Sequence, residues 1–281
     1  MIQLKNLVYI SDIHAGCQLA LCPPGGVGLD NGGKYHPSPF QRKLWKMWRE
    51  LWDEWIPAAT RQEPFGVVLN GDAVEGVHHK ATTQISQNPK DQEEIAYQIL
   101  APVVDKCKGR YWHIRGTEAH VGSSACDEER LAKRLGAVPN REGQHARWDL
   151  WKRVGDGNLV HSLHHVGTTG SQAYESTAVQ KELVESFTEA ARWRREPPDV
   201  IVRSHRHRSI QIRIPTGTDG HETGEAIAVV TPAWQGKTPH VWRIPGGRLA
   251  TPQFGAILIR EAHGELFVRS KVWTVDRSPV E

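Results

Sequence analysis

The sequence has no apolar segment of the roughly 18–20 residues that a membrane-spanning helix needs. It also lacks the features of a secretory signal, because the N-terminal stretch "MIQLKNLVYISD" has a strand-like pattern with no basic segment and no small-residue cleavage site. These absences exclude a protein with helical membrane spans and argue against export. We expect a cytoplasmic protein that makes no contact with a membrane.

Cysteine is scarce. The chain has four cysteines (Cys17, Cys22, Cys107 and Cys126), and no two of them form a C-x-x-C pair. A disulfide framework and a closed structural zinc site both need denser or regularly spaced cysteines. We therefore expect reduced thiols, and the spacing excludes a plain structural-zinc protein.

An excess of one charge is also absent, since Lys and Arg total 35, Asp and Glu total 32, and the net charge is +3. This balance tolerates an anionic substrate but does not by itself indicate nucleic-acid binding. Two residue types are abundant, namely histidine with 15 residues and tryptophan with 11. Histidine is the commonest metal ligand and a general acid or base near neutral pH, so the positions of the histidines bear directly on function.

The order of apolar patterns predicts the fold class. Short apolar runs alternate with longer helical patterns, which is typical of a layered α/β architecture, and 281 residues are enough to bury a large core. The expected strands are Leu7–Ser11, Gly66–Asn70, Arg110–Ile114, Asn158–His164 and Asp199–Arg203. The expected helices are Phe40–Ile56, Gln92–Lys106, Cys126–Leu135 and Ser176–Arg194.

Two segments depart from this alternation within what we expect to be a single domain over residues 1–281. Residues 22–56 combine a Gly- and Pro-rich loop with the helix "FQRKLWKMWRELWDEWI", whose apolar face favours core packing over a platform for stacking aromatic groups. Because the loop and this helix follow the first strand, we expect both to border the mouth of a site. Residues 209–275 are rich in strand patterns, and we expect them to form a second, mostly antiparallel sheet.

Five short segments bring carboxylates and imidazoles to the ends of predicted strands. A single Asp or His there is often only a cap or a solvated residue, but five such clusters at one edge of a sheet rarely arise by chance. In extended chain, residues i and i+2 point the same way, so each D-x-H or H-x-H pair can offer two ligands to one place. The segments are "SDIH" (Asp12, His14), "NGDAVEG" (Asp72), "RGTEAH" (Glu118, His120), "HSLHH" (His164, His165) and "RSHRH" (His205, His207).

These side chains predict a site for two divalent metal ions. Mixed Asp and His ligands suit borderline divalent metals, and we expect manganese, with iron, zinc or nickel as alternatives. The candidate ligands are more numerous than one ion needs. Two ions about 3.5–4 Å apart, bridged by a carboxylate, would use them, and such sites act on phosphate esters.

Asp-x-His, Gly-Asp-x-x-x-Gly, a polar turn, a His and a His-x-His, in this order over residues 9–208, resemble the motifs of the calcineurin-like metallophosphoesterase superfamily. The resemblance implies a four-layer αββα sandwich, in which two mixed β-sheets are flanked by helices. It also implies two metal sites that share Asp72. The first would use Asp12, His14, Asp72 and His207, and the second would use Asp72, a residue of the third motif, a histidine of 164–165 and His205.

The third motif departs from the family pattern. Where the family has Gly-Asn-His, with Asn as an oxygen ligand and His as the proton donor to the leaving group, this chain has "GTEAH" at 116–120. We expect Glu118 to replace the Asn as ligand of the second metal and His120 to be the catalytic acid, since an extended turn would keep both on one side. The alternative is that Thr117 and Glu118 simply fill the two positions and that His120 is a surface residue.

The fourth motif offers more than one histidine. His164 aligns best with the histidine of the family, and His165 is the second choice. Period-two alternation puts His161 and His165 on the face opposite His164. We expect His164 to be the ligand and His161 to be an ordinary sheet residue.

The resemblance implies an enzyme, a metal-dependent phosphoric ester hydrolase in which a metal-bound hydroxide attacks phosphorus. A phosphodiesterase is favoured, because no additional arginine cluster would clamp a monoester dianion. A nuclease and a phosphomonoesterase are alternatives, although the basic run "RWRR" at 192–195 also simply complements a helix C-terminus. The partner would be a phosphate ester, including a nucleotide or nucleic acid. A rival of another class is a non-catalytic metal-binding scaffold for a protein partner.

Overall fold

The computed structural model describes residues 3–78, 80–167, 171–218, 221–244 and 246–275. Its helices are α1 (Pro39–Glu50), α2 (Ile56–Ala59), α3 (Pro89–Lys106), α4 (Glu118–Val121), α5 (Cys126–Arg134) and α6 (Glu175–Arg192). Its strands are β1 (Asn6–Ile10), β2 (Val27–Gly28), β3 (Lys34–Tyr35), β4 (Phe65–Asn70), β5 (Tyr111–Ile114), β6 (Ala146–Arg147), β7 (Leu150–Val154), β8 (Asn158–Ser162), β9 (Val200–Arg203), β10 (Ile210–Thr218), β11 (His221–Val230), β12 (Gln253–Ala262) and β13 (Glu265–Thr274).

Two mixed sheets form the centre of the fold. The first has the strand order β13-β12-β1-β4-β5-β6, with β1, β4, β5 and β6 parallel and β12 and β13 antiparallel at one side. The second has the order β10-β11-β9-β8-β7, with a parallel centre and an antiparallel strand at each edge. Strands β2 and β3 form a separate small hairpin. The carboxyl ends of parallel neighbours meet at the same sheet edge, which brings the motif segments together.

Side-chain alternation along the strands sorts the core into layers. Leu7 and Tyr9 of β1 belong to the core between the two sheets, whereas Val8 of the same strand packs into the core under α1, α3 and α5. On β9, Ile201 packs into a third core, which includes Val179 of α6. The layer order is helices, sheet, sheet and helix. This confirms the predicted α/β class and the four-layer αββα sandwich that the resemblance implied.

The predicted strands and helices are all present, with ends that shift by a few residues. The expected separate C-terminal sheet is wrong, because the C-terminal strands divide between the two sheets. Strand β11 pairs parallel with β9 in the second sheet, and β12 pairs antiparallel with β1 in the first. The final hairpin therefore extends the first sheet next to its N-terminal strand.

The tryptophan-rich helix packs into the core, as its apolar face predicted. Helix α1 continues through a π-helical turn (Leu51–Trp55) into α2, and Trp48 and Trp52 are almost fully buried. The ring of Trp48 lies edge-on to the fully buried Trp234, with ring centroids 4.8 Å apart. The helix therefore supports the segment after β11 rather than offering a stacking platform.

The four cysteines are unpaired, and the described helices include none that could cross a membrane. Cys17, Cys22 and Cys107 are buried as free thiols, and Cys126 is an exposed free thiol. Among the described residues, no helix has the length and hydropathy needed to cross a membrane.

Candidate metal centre

Left-handed backbone conformations occur where strands β1, β4 and β9 end. Asp12, His14, Asp72, His205 and His207 have φ angles of 51°, 46°, 53°, 70° and 54°. Non-glycine residues rarely adopt positive φ, and such strained positions concentrate at functional sites. The side chains of these motifs therefore converge through sharp turns, and not through the extended chain that the i, i+2 spacing predicted.

Backbone hydrogen bonds connect the turns to one another. The amides of Asp12 and His14 donate to the carbonyls of Gly71 (3.0 Å) and Asp72 (3.0 Å). The amide of Trp234, whose ring packs on the tryptophan-rich helix, donates to the carbonyl of Asp12 (3.0 Å). The ends of β1, β4 and β11 are thus held in a fixed relation.

A buried carboxylate and a glycine fix the third motif against the second. The fully buried Glu128 accepts hydrogen bonds from the amides of Ala73 (2.9 Å) and Gly116 (2.7 Å). Gly116 approaches Asp72 so closely that a Cβ at this position would overlap the Asp72 carboxylate and backbone. Only glycine fits there, which explains why this position of the third motif has no side chain.

The first group of candidate ligands is Asp12, His14 and His207. Nε2 of His207 lies 3.3 Å from Oδ1 of Asp12 and 3.2 Å from Nε2 of His14. One ligand atom from each residue lies within 4.8 Å of the others. Asp12 and His14 are almost completely buried and His207 is partly exposed, so the group opens to solvent on the His207 side.

The second group is Asp72, His164 and His205. Nε2 of the buried His164 lies 3.1 Å from Oδ2 of Asp72, and its Nδ1 donates to the carbonyl of Asn70 (2.6 Å), which orients the ring. One ligand atom from each of the three residues again lies within 4.8 Å of the others. His205 is exposed, so this group also reaches the surface.

Asp72 lies between the two groups. Its Oδ2 is 3.1 Å from Nε2 of His164 in the second group and 3.9 Å from Nε2 of His14 in the first. Asp12 also approaches the second group, since its Oδ1 is 4.0 Å from Nε2 of His164. The Asp72 carboxylate is therefore the side chain that connects the two groups.

The buried carboxylates create a strongly cation-favouring environment. Burial opposes the ionisation of Asp72, but the imidazoles of His164 and His120 hold its pKa well below its usual value. Burial also favours the neutral ring of His164, yet the Asp72 carboxylate raises its pKa to about 10. Positive charge next to the two carboxylates is therefore stabilising.

The donor set fits divalent metal ions. Oδ1 of Asp12 is buried and accepts no well-formed hydrogen bond within the described part of the chain, and Nε2 of His207, 3.3 Å away, is itself a candidate ligand atom. An unpartnered buried carboxylate oxygen is costly unless a cation completes its coordination. The Nε2 atoms of His14 and His207 lie 3.2 Å apart next to this oxygen. Two imidazole nitrogens and a carboxylate oxygen around one point form a common ligand set for Mn, Fe and Zn.

Glu118 stays outside both groups. The chain enters helix α4 at Glu118, after the N-cap residue Thr117 (φ −70°, ψ 136°). Helical residues two apart point about 200° apart, so Glu118 and His120 cannot both face the two groups of ligands. Glu118 is exposed to solvent. The expectation that Glu118 ligates the second metal is not supported, because the extended turn that it required is a helix.

Thr117 faces the second group instead. Its Oγ1 is 3.1 Å from Nδ1 of His205, 3.3 Å from Oδ2 of Asp72 and 3.3 Å from Nε2 of His164. Its amide also donates to Oδ1 of Asp72 (2.6 Å). A neutral hydroxyl oxygen therefore lies where the family pattern has the oxygen of Asn. The sequence left this option open, since Thr117 directly follows Gly116.

His120 borders the first group. Its Nδ1 donates to the carbonyl of Glu75 (2.6 Å), and its ring centroid is 4.6 Å from that of His14. Burial and the neighbouring His14 lower the pKa of His120 to about 4. With Nδ1–H engaged, Nε2 is the atom left for chemistry. His14, Asp72 and His120 also offer ligand atoms within 4.8 Å of one another, so ligation is the rival of proton transfer.

Glu75 contacts a candidate ligand, a role that the motifs did not predict. Its Oε2 lies 3.1 Å from Nδ1 of His14 and accepts a hydrogen bond from Nε2 of Gln235 (2.7 Å). Its Oε1 is 3.6 Å from Nε2 of His78. A carboxylate behind a candidate ligand orients the ring and raises its basicity. The signal was present, because this acid lies inside the quoted segment "GDAVEG".

Replacing Glu75 with glutamine is expected to weaken metal binding about 10- to 100-fold, the usual effect of losing a carboxylate behind a ligating histidine. Glutamine keeps the size of the side chain but removes the charge that orients His14. Calorimetric titration with Mn²⁺ measures the change. Glu118→Gln is the matched control, and its affinity should stay within about twofold of the wild type because Glu118 is exposed outside both groups. Equal affinities for Glu75→Gln and the wild type would contradict the orienting role.

Three other polar features of the sequence lie outside both groups. His165 is exposed, with its ring centroid 5.3 Å from that of His205. His161 stacks on Trp151 at 4.1 Å on the other side of β8, as expected for an ordinary sheet residue. Arg192 of the "RWRR" run pairs with Glu189 (2.7 Å) on its own helix, which agrees with the structural interpretation of that run. The structure thus brings His164, and not His165, to Asp72.

Two cavities border the candidate site, each at different histidines. One of about 490 Å³ borders His205 and His207, and one of about 410 Å³ borders His120. Neither takes a lining residue from the loop at 22–39. The loop instead packs on the start of α3, where Lys90 pairs with Asp30 (2.7 Å). The tryptophan-rich helix contributes no lining residue either, so the expectation that the loop and this helix border the mouth is not supported by the two cavities.

Comparisons with known proteins return likenesses of structure only. No protein-family model matches the chain, and no curated protein matches its sequence. Solved structures that are similar over most of the chain include vacuolar protein sorting 29 from Cryptosporidium parvum (12% identity, 97% of this chain and 100% of that one, TM-score 0.36). A double mutant of its counterpart from Entamoeba histolytica has 10% identity over 96% of this chain and 99% of that one, with a TM-score of 0.39. A metallophosphoesterase from Sphaerobacter thermophilus has 12% identity over 97% of this chain and 89% of that one, with a TM-score of 0.32. These likenesses are distant, and no conclusion about activity rests on them.

Proposed function

We propose that this chain is a metal-dependent phosphoesterase that hydrolyses phosphate diesters with the help of two divalent ions. The observation that carries the proposal is the convergence of two Asp/His groups on one carboxylate, since Oδ2 of Asp72 is 3.1 Å from His164 and 3.9 Å from His14. Paired divalent sites with a shared carboxylate are suited to phosphoryl transfer. The αββα architecture and the order of the motifs, which resemble those of calcineurin-like metallophosphoesterases, support the same assignment.

The ions would be held by side chains from five loops. The first would use Asp12, His14, Asp72 and His207, and the second would use Asp72, His164 and His205, with Thr117 in place of Glu118. Bound divalent ions supply Lewis acidity, which neutralises phosphoryl charge and lowers the pKa of water. Manganese is the metal that we expect for this mixture of carboxylate, imidazole and hydroxyl donors.

His120 is the residue that we propose for the leaving group. The carbonyl of Glu75 holds its Nδ1–H and so fixes the ring with Nε2 as the proton-carrying atom. An anionic phosphate ester next to the ring favours the imidazolium, which opposes the effect of burial on the pKa. A proton passed from Nε2 to the departing oxygen contributes about 10²–10⁴ in rate.

Removal of bound metal is expected to abolish the hydrolysis of bis(p-nitrophenyl) phosphate, and added Mn²⁺ is expected to restore it. The reason is that divalent ions would neutralise the phosphoryl charge and acidify water, which the described side chains of the two groups, all carboxylates, imidazoles and a hydroxyl, do not do by themselves. The measurement is p-nitrophenolate release by chelated protein before and after Mn²⁺ addition. If Mn²⁺ binds again without turnover of mono-, di- or polynucleotide esters, the chain is a metal-binding scaffold and the proposal fails.

A further inference from the structure

The larger cavity has the size and position of a substrate pocket. Its volume of about 490 Å³ falls in the usual range of small-molecule sites. It shares His205 and His207 with the two groups of candidate ligands, so a molecule bound at the metal centre extends directly into it. Its lining includes four apolar residues from one segment, which we call the apolar wall: Val241, Ile244, Ala250 and Pro252.

The apolar wall is held in place by contacts of its own segment. Nζ of Lys237 lies 3.8 Å from the centroid of the Trp242 ring and donates to the carbonyl of Arg248 (2.7 Å). The amide of Gly236 donates to the carbonyl of Leu19 (2.8 Å), which anchors the start of the segment. The segment that carries the wall is therefore anchored by its own contacts, and its apolar residues line the same cavity as His205 and His207.

The cations that line this cavity are engaged by protein groups. Nε of Arg208 pairs with Glu175 (2.8 Å), and Nη2 of Arg206 donates to the carbonyl of Gly167. Nζ of Lys237 contacts the Trp242 ring and the carbonyl of Arg248, as described above. A second phosphate or a monoester dianion needs bidentate or clustered cationic donors, and these three side chains already have partners. Of these contacts only that of Arg208 is to a carboxylate, so the preference for an uncharged group rests on the apolar residues of the lining, Val241, Ile244, Ala250 and Pro252.

His120 borders a different cavity, of about 410 Å³, together with Glu118 and Asp127. In the proposed function the leaving group lies at His120, because it receives its proton there. The group on the other ester oxygen then points away from His120, towards His205 and His207. Two separate cavities at different histidines suit a substrate with two ester arms.

We infer that the larger cavity binds the non-leaving group of a phosphate diester and that this group is uncharged and apolar, an aryl ring or larger. The inference rests on the proposed function and narrows its substrate class. The apolar wall removes the ring from water, and the phosphate remains at the Asp/His groups. A methyl ester, which leaves the wall uncovered, is the weaker substrate.

The test compares two diesters with the same leaving group, phenyl p-nitrophenyl phosphate and methyl p-nitrophenyl phosphate, on Mn²⁺-loaded protein. The wild type should have a kcat/KM about tenfold or more higher for the phenyl ester. Ile244→Ala removes apolar contact and Ala250→Phe fills the cavity, so each should lower kcat/KM for the phenyl ester about tenfold. Both should leave the methyl ester within about twofold, since neither residue touches the candidate ligands.

Leu249→Ala is the matched control, because Leu249 lies in the same segment, is 80% exposed and does not line the cavity. It should change neither substrate. Equal kcat/KM for the two diesters in the wild type, or a loss in Ile244→Ala that is the same for both, overturns the inference. A clear preference for polynucleotides over the phenyl ester also overturns it. The two hypotheses fail in different ways. If the wild type does not hydrolyse the methyl ester at all, the proposed function is refuted rather than this inference.

Discussion

Replacing Asp72 with asparagine is expected to lower kcat for bis(p-nitrophenyl) phosphate by about a thousandfold or more. Removing one electrostatic group from a catalytic centre commonly costs about 10²–10³, and this carboxylate contacts both groups of ligands. Its Oδ2 is 3.1 Å from His164 and 3.9 Å from His14. Asparagine keeps the shape but cannot bridge two cations. Metal content by elemental analysis should fall below one ion per chain.

Asp149→Asn is the control for this change. Oδ2 of Asp149 lies 3.7 Å from His161, outside both groups, so the substitution removes an Asp–His contact of similar chemistry away from the centre. Its metal content and activity should match the wild type. Asp72→Asn with two bound ions and near-normal turnover would refute the bridging role.

Replacing His120 with alanine is expected to produce a loss that depends on the leaving group. An acid matters in proportion to how badly the departing oxygen needs a proton, and its contribution is about 10²–10⁴ for a poor leaving group. Cleavage of an alkyl or nucleotide diester should fall by this amount. Bis(p-nitrophenyl) phosphate, whose p-nitrophenolate leaves without a proton, should be affected far less. The measurement is kcat/KM for both substrates.

Metal content distinguishes proton donation by His120 from metal ligation by the same residue. His120 offers a ligand atom within 4.8 Å of those of His14 and Asp72, so a ligating His120 would carry metal with it on removal. Unchanged metal content with a leaving-group-dependent loss supports the acid. An equal loss on both substrates, or a loss of metal, means that the "RGTEAH" segment holds a ligand instead.

Local patterns were sufficient for much of the fold because the parallel strands β1, β4, β5 and β9 are buried on both faces. The run "NLVYI" of β1 is buried along its whole length, with Leu7 facing one core and Val8 the other. Strand β7 was missed because it is an edge strand, in which Leu150 and Val154 are buried while the residues between them are at least partly exposed. Pairing of β12 with β1 joins residues about 250 positions apart, and no local pattern carries that information.

The candidate site followed from the motif order more than from the geometry that we assumed. Asp12 and His14 meet through positive-φ turns, a conformation that a D-x-H spacing does not reveal. The prediction that Glu118 is a ligand was wrong in its geometry because a helix begins at this residue. Thr117 is an N-cap residue, yet its side chain makes no capping hydrogen bond because Oγ1 is turned towards Asp72 and His205. Treating Thr117 as the N-cap of a helix would have predicted that Glu118 lies on the outer face of that helix.

Electron paramagnetic resonance of the Mn²⁺-loaded protein tests the central claim most directly, since it reports whether two ions share a ligand. With Asp72 between the groups, saturation should require two equivalents of Mn²⁺ per chain, and the spectrum should be that of an exchange-coupled pair. The Asp72→Asn variant should lose this coupled signal. Saturation at one equivalent, or an uncoupled mononuclear spectrum at full loading of the wild type, would contradict a shared dinuclear centre.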